Sequence, residues 1–450
     1  MVLEASDHVG GISRTEEYQG FRFDIGGHRF YTKEPIVNEM WHEVMGDDFI
    51  SVPRLSRIYY DGKFLKYPLD PIDTFLKLGP IESFLIFLSW IKAKVSLKLR
   101  PKRPEAHFEE WVSNRFGKRL FNTFFKSYTE KVWGIPCNQI SADWAAQRIS
   151  GLSLMRAVLD AFFKKQDAKS LIRKFEYPRL GPGMMWEKFA AKIKEAGGDV
   201  KMRSQVSKVY HEDKHVTAVE LADGSKIIPE NFITSMPLRT LLRQLSPAPP
   251  TEIMKAAEGL KYRDFLVVAL FVAQKDIFPD NWIYIHCPKV SVGRVQNFKN
   301  WSIEMVPDPS QTCLGMEYFC QENDGLWDTS DEDLIKLATK EAAEIGLLNA
   351  SDVFGGKVIR QPKAYPVYDE NCKTNVEILE KYILGWDNMQ TIGRNGMHRY
   401  NNQDHSMMTG ILAVENLAGN DHNLWGVNTD RSYQETFKVG EVSREVLAAR

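Results

Sequence analysis

Val2-Leu3-Glu4-Ala5, then Val9-Gly10-Gly11, then Phe23-Asp24-Ile25-Gly26-Gly27-His28: these three segments hold the spacing that decides how the chain folds. Val2 to Glu4 reads as the end of a strand that closes on a carboxylate. Gly10-Gly11 forces a turn, because glycine takes positive φ without steric cost. Phe21 to Asp24 reads as a second short strand that delivers Gly26-Gly27-His28. Singly, Glu4 and the glycine pair are also what an ordinary strand end and turn would show. Their order along the chain carries the reading.

Working outward, Pro35 suits the first turn of a helix running toward Met45, and Tyr59-Tyr60-Asp61-Gly62-Lys63-Phe64 is a hairpin with a type I′ Asp-Gly turn. From Pro71 to Lys165 apolar residues recur at helical spacing, with breaks at Pro80, Pro101, Pro104 and Pro136. A helix from Met184 to Ala196 stops at Gly197-Gly198. Strands follow around Val206 to Tyr210, Val216 to Leu221, Lys226 to Ile228 and Phe232 to Thr234. Phe265 to Val272, Trp282 to His286, Arg294 to Asn297 and Cys313 to Cys320 predict a second sheet. Gln390 to Arg394 closes a last strand, and Asp404 to Leu417 is a helix with Asp404 as its N-cap.

A dinucleotide-binding βαβ unit needs a glycine-rich pyrophosphate loop and, about 20 residues on, a carboxylate for the ribose. Glu4 has the place of that carboxylate. Counting back reaches beyond Met1, and G-x-G-x-x-G occurs nowhere in the chain. We expect an upstream strand and loop, the sequence being truncated at its start; a lineage that lost the loop is the alternative.

The ordered segments Val2 to Ala5, Val9 to Gly11 and Phe23 to His28 resemble the start of the flavin amine oxidase, protoporphyrinogen oxidase and UDP-galactopyranose mutase superfamily. Gly393-Arg394-Asn395-Gly396, Arg399-Tyr400 and Asn402-Gln403-Asp404-His405-Ser406 are similar to the second flavin-contacting segment of the mutases. Lys131-Val132-Trp133, Tyr177-Pro178-Arg179 and Tyr365-Pro366 fall in the same order. The long helical segment and Asn395-Gly396-Met397-His398 depart from familiar mutases and put the sugar in doubt.

The resemblance implies an α/β fold: an FAD-binding Rossmann-like domain of the glutathione-reductase type lacking its first strand and glycine loop, a helical insertion and a separate antiparallel sheet domain. The expected division is 1–35, 176–240 and 386–450 for FAD, 71–170 for the insertion, and 36–70 with 241–385 for the substrate-binding sheet. It implies FAD contacts at Glu4, Gly10, Gly11, Gly26, Gly27, Val206, Gly393, Arg394, Asn402, Gln403 and Asp404. Catalytic positions are His28, Arg294 and Arg394, and substrate contacts Arg179, Arg294, Tyr400 and Asn402. The implied reaction is the pyranose/furanose isomerisation of a nucleotide sugar through a flavin-sugar adduct, with an external reductant such as NAD(P)H. Guanidiniums suit that task because they grip phosphate in bidentate fashion; each could equally be a salt-bridged surface arginine, and His28 a packed loop residue. An FAD-dependent oxidase or dehydrogenase and a non-catalytic relative stay open.

Composition excludes several partners. With 450 residues, 43% apolar and 26% charged, net charge −1 and pI near 6.8, nothing in the global field draws the chain to nucleic acid or to an anionic membrane. Five scattered cysteines without a C-x-x-C pair argue for a reducing cytoplasm and against disulfides or zinc. His211 and His215 sit in a polar hairpin and read as solvated, with no metal expected. The most apolar run, Phe84 to Ile91, is too short to span a bilayer. Lys92, Lys94, Lys98, Arg100, Lys102 and Arg103 follow it. We read a domain helix with a solvated basic end, a peripheral membrane contact being the alternative.

Overall fold

The computed structural model describes residues 1–67, 69–99, 103–142 and 174–428. The expected helical stretch beyond residue 142, Arg100, Lys102 and the last 22 residues of the third FAD segment lie outside the described residues. In chain order, β1 (Val2–Leu3), β2 (Thr15–Tyr18) and β3 (Phe21–Asp24) precede helix α1 (Pro35–Met45). β4 (Phe49–Pro53), β5 (Ser56–Tyr60) and β6 (Lys63–Lys66) lead to α2 (Pro71–Leu78), α3 (Pro80–Leu99) and α4 (Phe108–Phe116). A further helical stretch ends in Ser127–Trp133, and β7 (Lys174–Pro178) enters helix Gly183–Glu195. Then come β8 (Val200–Lys201), β9 (Val206–Glu212), β10 (His215–Leu221), β11 (Lys226–Ile227), β12 (Phe232–Thr234) and β13 (Leu245–Ser246). The long strands are β14 (Tyr262–Val272), β15 (Trp282–Ile285), β16 (Arg294–Asn297), β17 (Thr312–Cys320) and β18 (Val353–Pro366), with β19 (Met389–Thr391) last.

Local chemistry explains where many of these elements start and stop. Pro35 opens α1, its missing N–H falling where no helical partner exists. Asp61 and Gly62 both take positive φ, 46° and 74°, and so turn β5 back on β6. Asp70 caps α2 by accepting from the Asp73 N–H at 2.7 Å.

Seven strands form one sheet in the order β18-β14-β17-β16-β15-β5-β6. It is antiparallel at every pair except β15 with β5, which run parallel. β17 is buried along its whole length and β14 nearly so, because both faces are covered. On one face Leu266, Val268, Leu270 and Val272 pack with Leu334, Ala338 and Ala342 of helix Asp331–Glu344. On the other, Ala269 and Phe271 join Phe21, Phe23, Tyr177, Phe298 and Trp301. The alternation is the two-residue period of a strand.

Parallel pairing otherwise survives only in small pieces. β1 pairs with β8 through two residues each, and β12 with β19 through three. Beside them β11, β10 and β9 pair antiparallel, and β13 adds to β9 in parallel through two residues, over a core that includes Val209, Val219, Leu241 and Leu242.

Several expectations are corrected. The last strand stops at Thr391, and Gly393–Gly396 is a helical turn that carries Arg394. Asn402, not Asp404, is the N-cap of helix Gln403–Leu417: its backbone is extended and its N–H bonds His405 Nδ1 at 3.2 Å. Asp404 is buried inside the first turn. The 14-residue β18, helix Asp331–Glu344 and helix Cys372–Ile383 were not foreseen. Among the described residues no helix is long and apolar enough to cross a membrane.

Candidate functional site

Asp24 ends β3 in full burial, where the hydroxyls of Tyr177 and Thr15 donate to its two carboxylate oxygens, the latter at 2.9 Å. Burial pushes its carboxyl up to about 7, the two hydroxyls only partly opposing the rise. Gly26 follows with φ of +98°, and a β-carbon on Gly27 would stand 3.0 Å from Gln296 Nε2 and 3.3 Å from Trp301. The loop therefore lies directly on β16 of the large sheet. Gln296 Oε1 is itself buried and without a hydrogen-bond partner.

His28 is half-buried, and its Nδ1 also meets no hydrogen-bond partner. Burial, reinforced by Arg394 and Arg294, pushes its pKa down to about 3, so the imidazole is neutral near pH 7.

Arg294 and Arg394 are brought together by Tyr365. Arg294 Nη2 donates to the Tyr365 hydroxyl at 3.0 Å, and the Arg394 guanidinium carbon lies 4.9 Å from the Tyr365 ring centre. Arg294 Nε pairs with Glu317, fully buried on β17, whose other oxygen accepts from Gln296 Nε2 at 2.8 Å. Burial alone would lower the Arg294 pKa, but the Glu317 carboxylate outweighs it and holds the guanidinium charged. Arg394 donates from Nε to Ala364 O at 2.9 Å and from Nη1 to Asn401 O at 3.1 Å, and stacks 4.1 Å from the Tyr400 ring centre. Each arginine thus spends two nitrogens on the protein; among the described residues Arg294 Nη1 and Arg394 Nη2 have no partner.

Aromatic rings continue this wall. Tyr365 and Tyr400 stack at 5.7 Å, and Trp133 meets both. Tyr128 and Tyr67 both contact Tyr284. Burial raises the Tyr128 pKa, with Arg294 close enough to oppose the rise.

Gly393, Asn402, Gln403 and Asp404 form a second group. Gly393 has φ of +77°; its N–H donates to Thr409 Oγ1 at 2.9 Å and its carbonyl accepts from Asn401 Nδ2 at 3.1 Å. Asn402 is exposed, and both amide atoms of Gln403 are buried without partners at the N-terminus of a 15-residue helix. Such a terminus favours an anion or an electron-rich ring edge.

Glu4 belongs to a third group. Its carboxylate accepts from the Ser6 N–H and hydroxyl, both at 2.8 Å, and its backbone oxygen from the Ser204 N–H at 2.8 Å. Val206 opens β9 just beyond, its side chain in the core and its carbonyl bonded to Gln244. Gly10 and Gly11 have φ of +99° and +56°; a β-carbon on Gly10 would stand 2.4 Å from Trp186, whereas Gly11 faces open space.

Arg179 directly follows β7. Its guanidinium is held between Asp48 and Glu304, both at 2.5 Å, and shares no partner with Arg294 or Arg394. The expected third substrate arginine is thus carboxylate-bound in this structure. His211 bonds Pro247 O at 2.8 Å and His215 is exposed.

Glu317, Gln296, Tyr128, Tyr284 and Tyr365 were missing from the expected site. Glu317 had a signal: it is the single charge in the apolar run Thr312-Cys313-Leu314-Gly315-Met316-Glu317-Tyr318-Phe319-Cys320. A charge at such a position must find a partner or neutralise. The residues present fit a flavin dinucleotide at three places: a glycine cradle with orphaned donors and acceptors at Gly26 to His28 and Gln296, a helix N-terminus at Gln403, and a carboxylate on the strand-end loop at Glu4.

Comparison with known proteins agrees. The sequence pattern of the flavin containing amine oxidoreductases matches residues 1–361. A chloroplastic protoporphyrinogen oxidase 1 of Arabidopsis thaliana is 24% identical over 191 residues, 40% of this chain and 34% of that protein, so the match spans about a third of its length. A reduced UDP-galactopyranose mutase structure superposes with TM-score 0.83 at 20% identity, covering 96% of this chain and 93% of the other. A protein from Exiguobacterium sp. 255-15 assigned as a protoporphyrinogen oxidase superposes with TM-score 0.69 at 15% identity over 92% of each chain. At these identities the structures show the fold, and the sequence match shows the family: the chain belongs to the flavin containing amine oxidoreductases.

Proposed function

We propose that this flavoenzyme is a nucleotide-sugar mutase, similar to UDP-galactopyranose mutase. The observation that supports it most is the convergence of Arg294 and Arg394 on Tyr365, with Nη1 of one and Nη2 of the other left to a ligand. Bound FAD supplies the redox and nucleophilic chemistry, after reduction by an external donor such as NAD(P)H. The chain's own residues bind and orient. Arg294 and Arg394 grip the diphosphate that must leave and return, which keeps both halves of the substrate in one cleft. Neutral His28 offers a hydrogen bond beside the flavin loop without adding a third charge. Tyr365, Tyr400, Tyr128 and Tyr284 shield the sugar from water, and Asn402 meets the substrate from the helix terminus. In this reading Glu4, Gly10, Gly11, Gly26, Gly27, Val206, Gly393, Gln403 and Asp404 line the FAD. The division of the chain into FAD, helical and substrate-binding parts is kept as set out above.

The stacked Tyr365–Tyr400 pair also suits an oxidase that transfers hydride from an organic substrate to flavin. Two guanidiniums at the same wall repel an ammonium, so such a substrate would have to be an anion. UDP titration of the reduced, FAD-loaded protein separates the readings. Each guanidinium contributes about 1.5–3 kcal/mol through charge-assisted bonds. Arg294→Ala and Arg394→Ala should each weaken UDP roughly ten- to hundredfold, with Arg→Lys rescuing only part. Wild type that ignores UDP, or variants that bind it unchanged, would establish the oxidase as the better account.

A further inference from the structure

α2 and α3 carry an apolar surface that the described chain leaves uncovered. On α3, Ile81, Phe84, Leu88, Ile91 and Val95 recur at alternating three- and four-residue steps, which aligns them in one stripe. All five are exposed, Ile81 by 77% and Phe84 by 60%. The opposite side is fixed to the protein: Ile86 is buried, and the Ser89–Trp90 backbone passes so close to Gly117 that a β-carbon there would stand 2.7 Å from Trp90 N. α2 widens the surface with exposed Ile72, Phe75 and Leu76.

The charges beside it have one sign. The carboxylates within the two helices, Asp73 and Glu82, are taken: Lys77 holds the first at 2.7 Å, and Arg119 grips the second at 2.7 and 2.6 Å. Lys92, Lys94 and Lys98 have no acidic partner among the described residues. A second copy pairing α3 with α3 would bring these lysines against an apolar stripe with no carboxylate to meet them. A narrow seam would also leave Ile72, Phe75 and Leu76 uncovered. A broad apolar face with aromatic and branched side chains and a cationic flank fits an interface between anionic headgroups and acyl chains.

We propose that the α2–α3 face is the surface by which this protein docks on an anionic lipid bilayer, α3 lying in the headgroup plane and not crossing it. The proposal is independent of the reaction catalysed.

Vesicle flotation of the full chain tests it, with phosphatidylcholine alone against equal parts phosphatidylcholine and phosphatidylglycerol. The protein should float with the mixed vesicles and at least tenfold less with the neutral ones. Phe84→Asp with Leu88→Asp should abolish flotation while leaving flavin content and melting temperature unchanged, since both side chains are exposed. Lys92→Glu with Lys94→Glu and Lys98→Glu should weaken it by about a hundredfold at low salt, at roughly fivefold per lysine removed. No flotation with mixed vesicles, equal flotation with both, or an aspartate variant that floats like wild type would overturn the proposal. So would light scattering that shows a wild-type dimer and a monomeric aspartate variant, which would assign the face to a second copy.

Discussion

The large sheet and the short parallel ladders hold the two ends of the candidate site by different means. Arg294 and Glu317 stand on β16 and β17, neighbours in a seven-stranded sheet whose strand β14, beside β17, runs eleven residues with both faces covered. Sliding such a strand by one residue would turn a buried face outward, so register, and with it the placing of both side chains, is tightly specified. Glu4 and Gly393 instead follow β1 and β19, which pair with their neighbours through two and three residues. Their positions rest on loop chemistry: Ser6 and Ser204 around Glu4, Trp186 against Gly10, Thr409 and Asn401 on Gly393. Arg294 is built into a scaffold, whereas Glu4 and the Gly393–Arg394 turn are tied on by short pairings and loops.

The strongest way to break this contrast is to remove the charge inside the scaffold. Glu317→Ala leaves the Arg294 guanidinium without its buried counter-ion and Gln296 without an acceptor, a loss of about 3–5 kcal/mol. Denaturant unfolding should show it, and a loss below about 1 kcal/mol would mean the sheet does not depend on this pair.

Asp24, at the seam between β3 and the glycine loop, gives a pH signature. Its folded pKa of about 7 lies above the ordinary 3.8, so the stability it contributes is full below about pH 4 and is lost as pH rises through 7. The rise from 3.8 to about 7 corresponds to at most about 4 kcal/mol. Unfolding free energies of wild type should therefore fall between pH 4 and 8 more steeply than those of Asp24→Asn; parallel curves would show that Asp24 titrates normally.

At the other end, Gly10→Ala places a β-carbon at positive φ against Trp186 and should cost about 1–3 kcal/mol. It should also lower flavin retention on gel filtration, and a variant with full flavin and unchanged stability would show that this turn does not support the cofactor. The smallest effect belongs to Arg179→Ala. Exposed ion pairs to Asp48 and Glu304 contribute little, so both UDP affinity and melting temperature should stay near wild type. A tenfold loss of affinity would restore Arg179 to the substrate site.

Local chemistry made much of the fold legible. Proline at a helix start gave Pro35–Met45, Asp-Gly gave the hairpin of β5 and β6, and apolar runs between turn residues gave Phe232–Thr234 and Arg294–Asn297 with their observed bounds. β18 escaped because Gly355, Gly356 and Pro362 interrupt it, and its strand character comes from pairing with β14. The Asn402 cap was misplaced by two residues, since the sequence offers Asn402 and Asp404 alike and only backbone geometry chooses.

The sequence by itself determined the family and the two glycine-flanked segments, because those depend on residue type at fixed short spacing. Tertiary structure alone decided that Arg294 and Arg394 meet at Tyr365, that Glu317 holds one of them, that β15 runs parallel to β5, and that Arg179 is spent on Asp48 and Glu304. These are contacts between segments far apart along the chain. Nothing in local propensity encodes which distant carboxylate an arginine will find; burial and the register of the large sheet settle it.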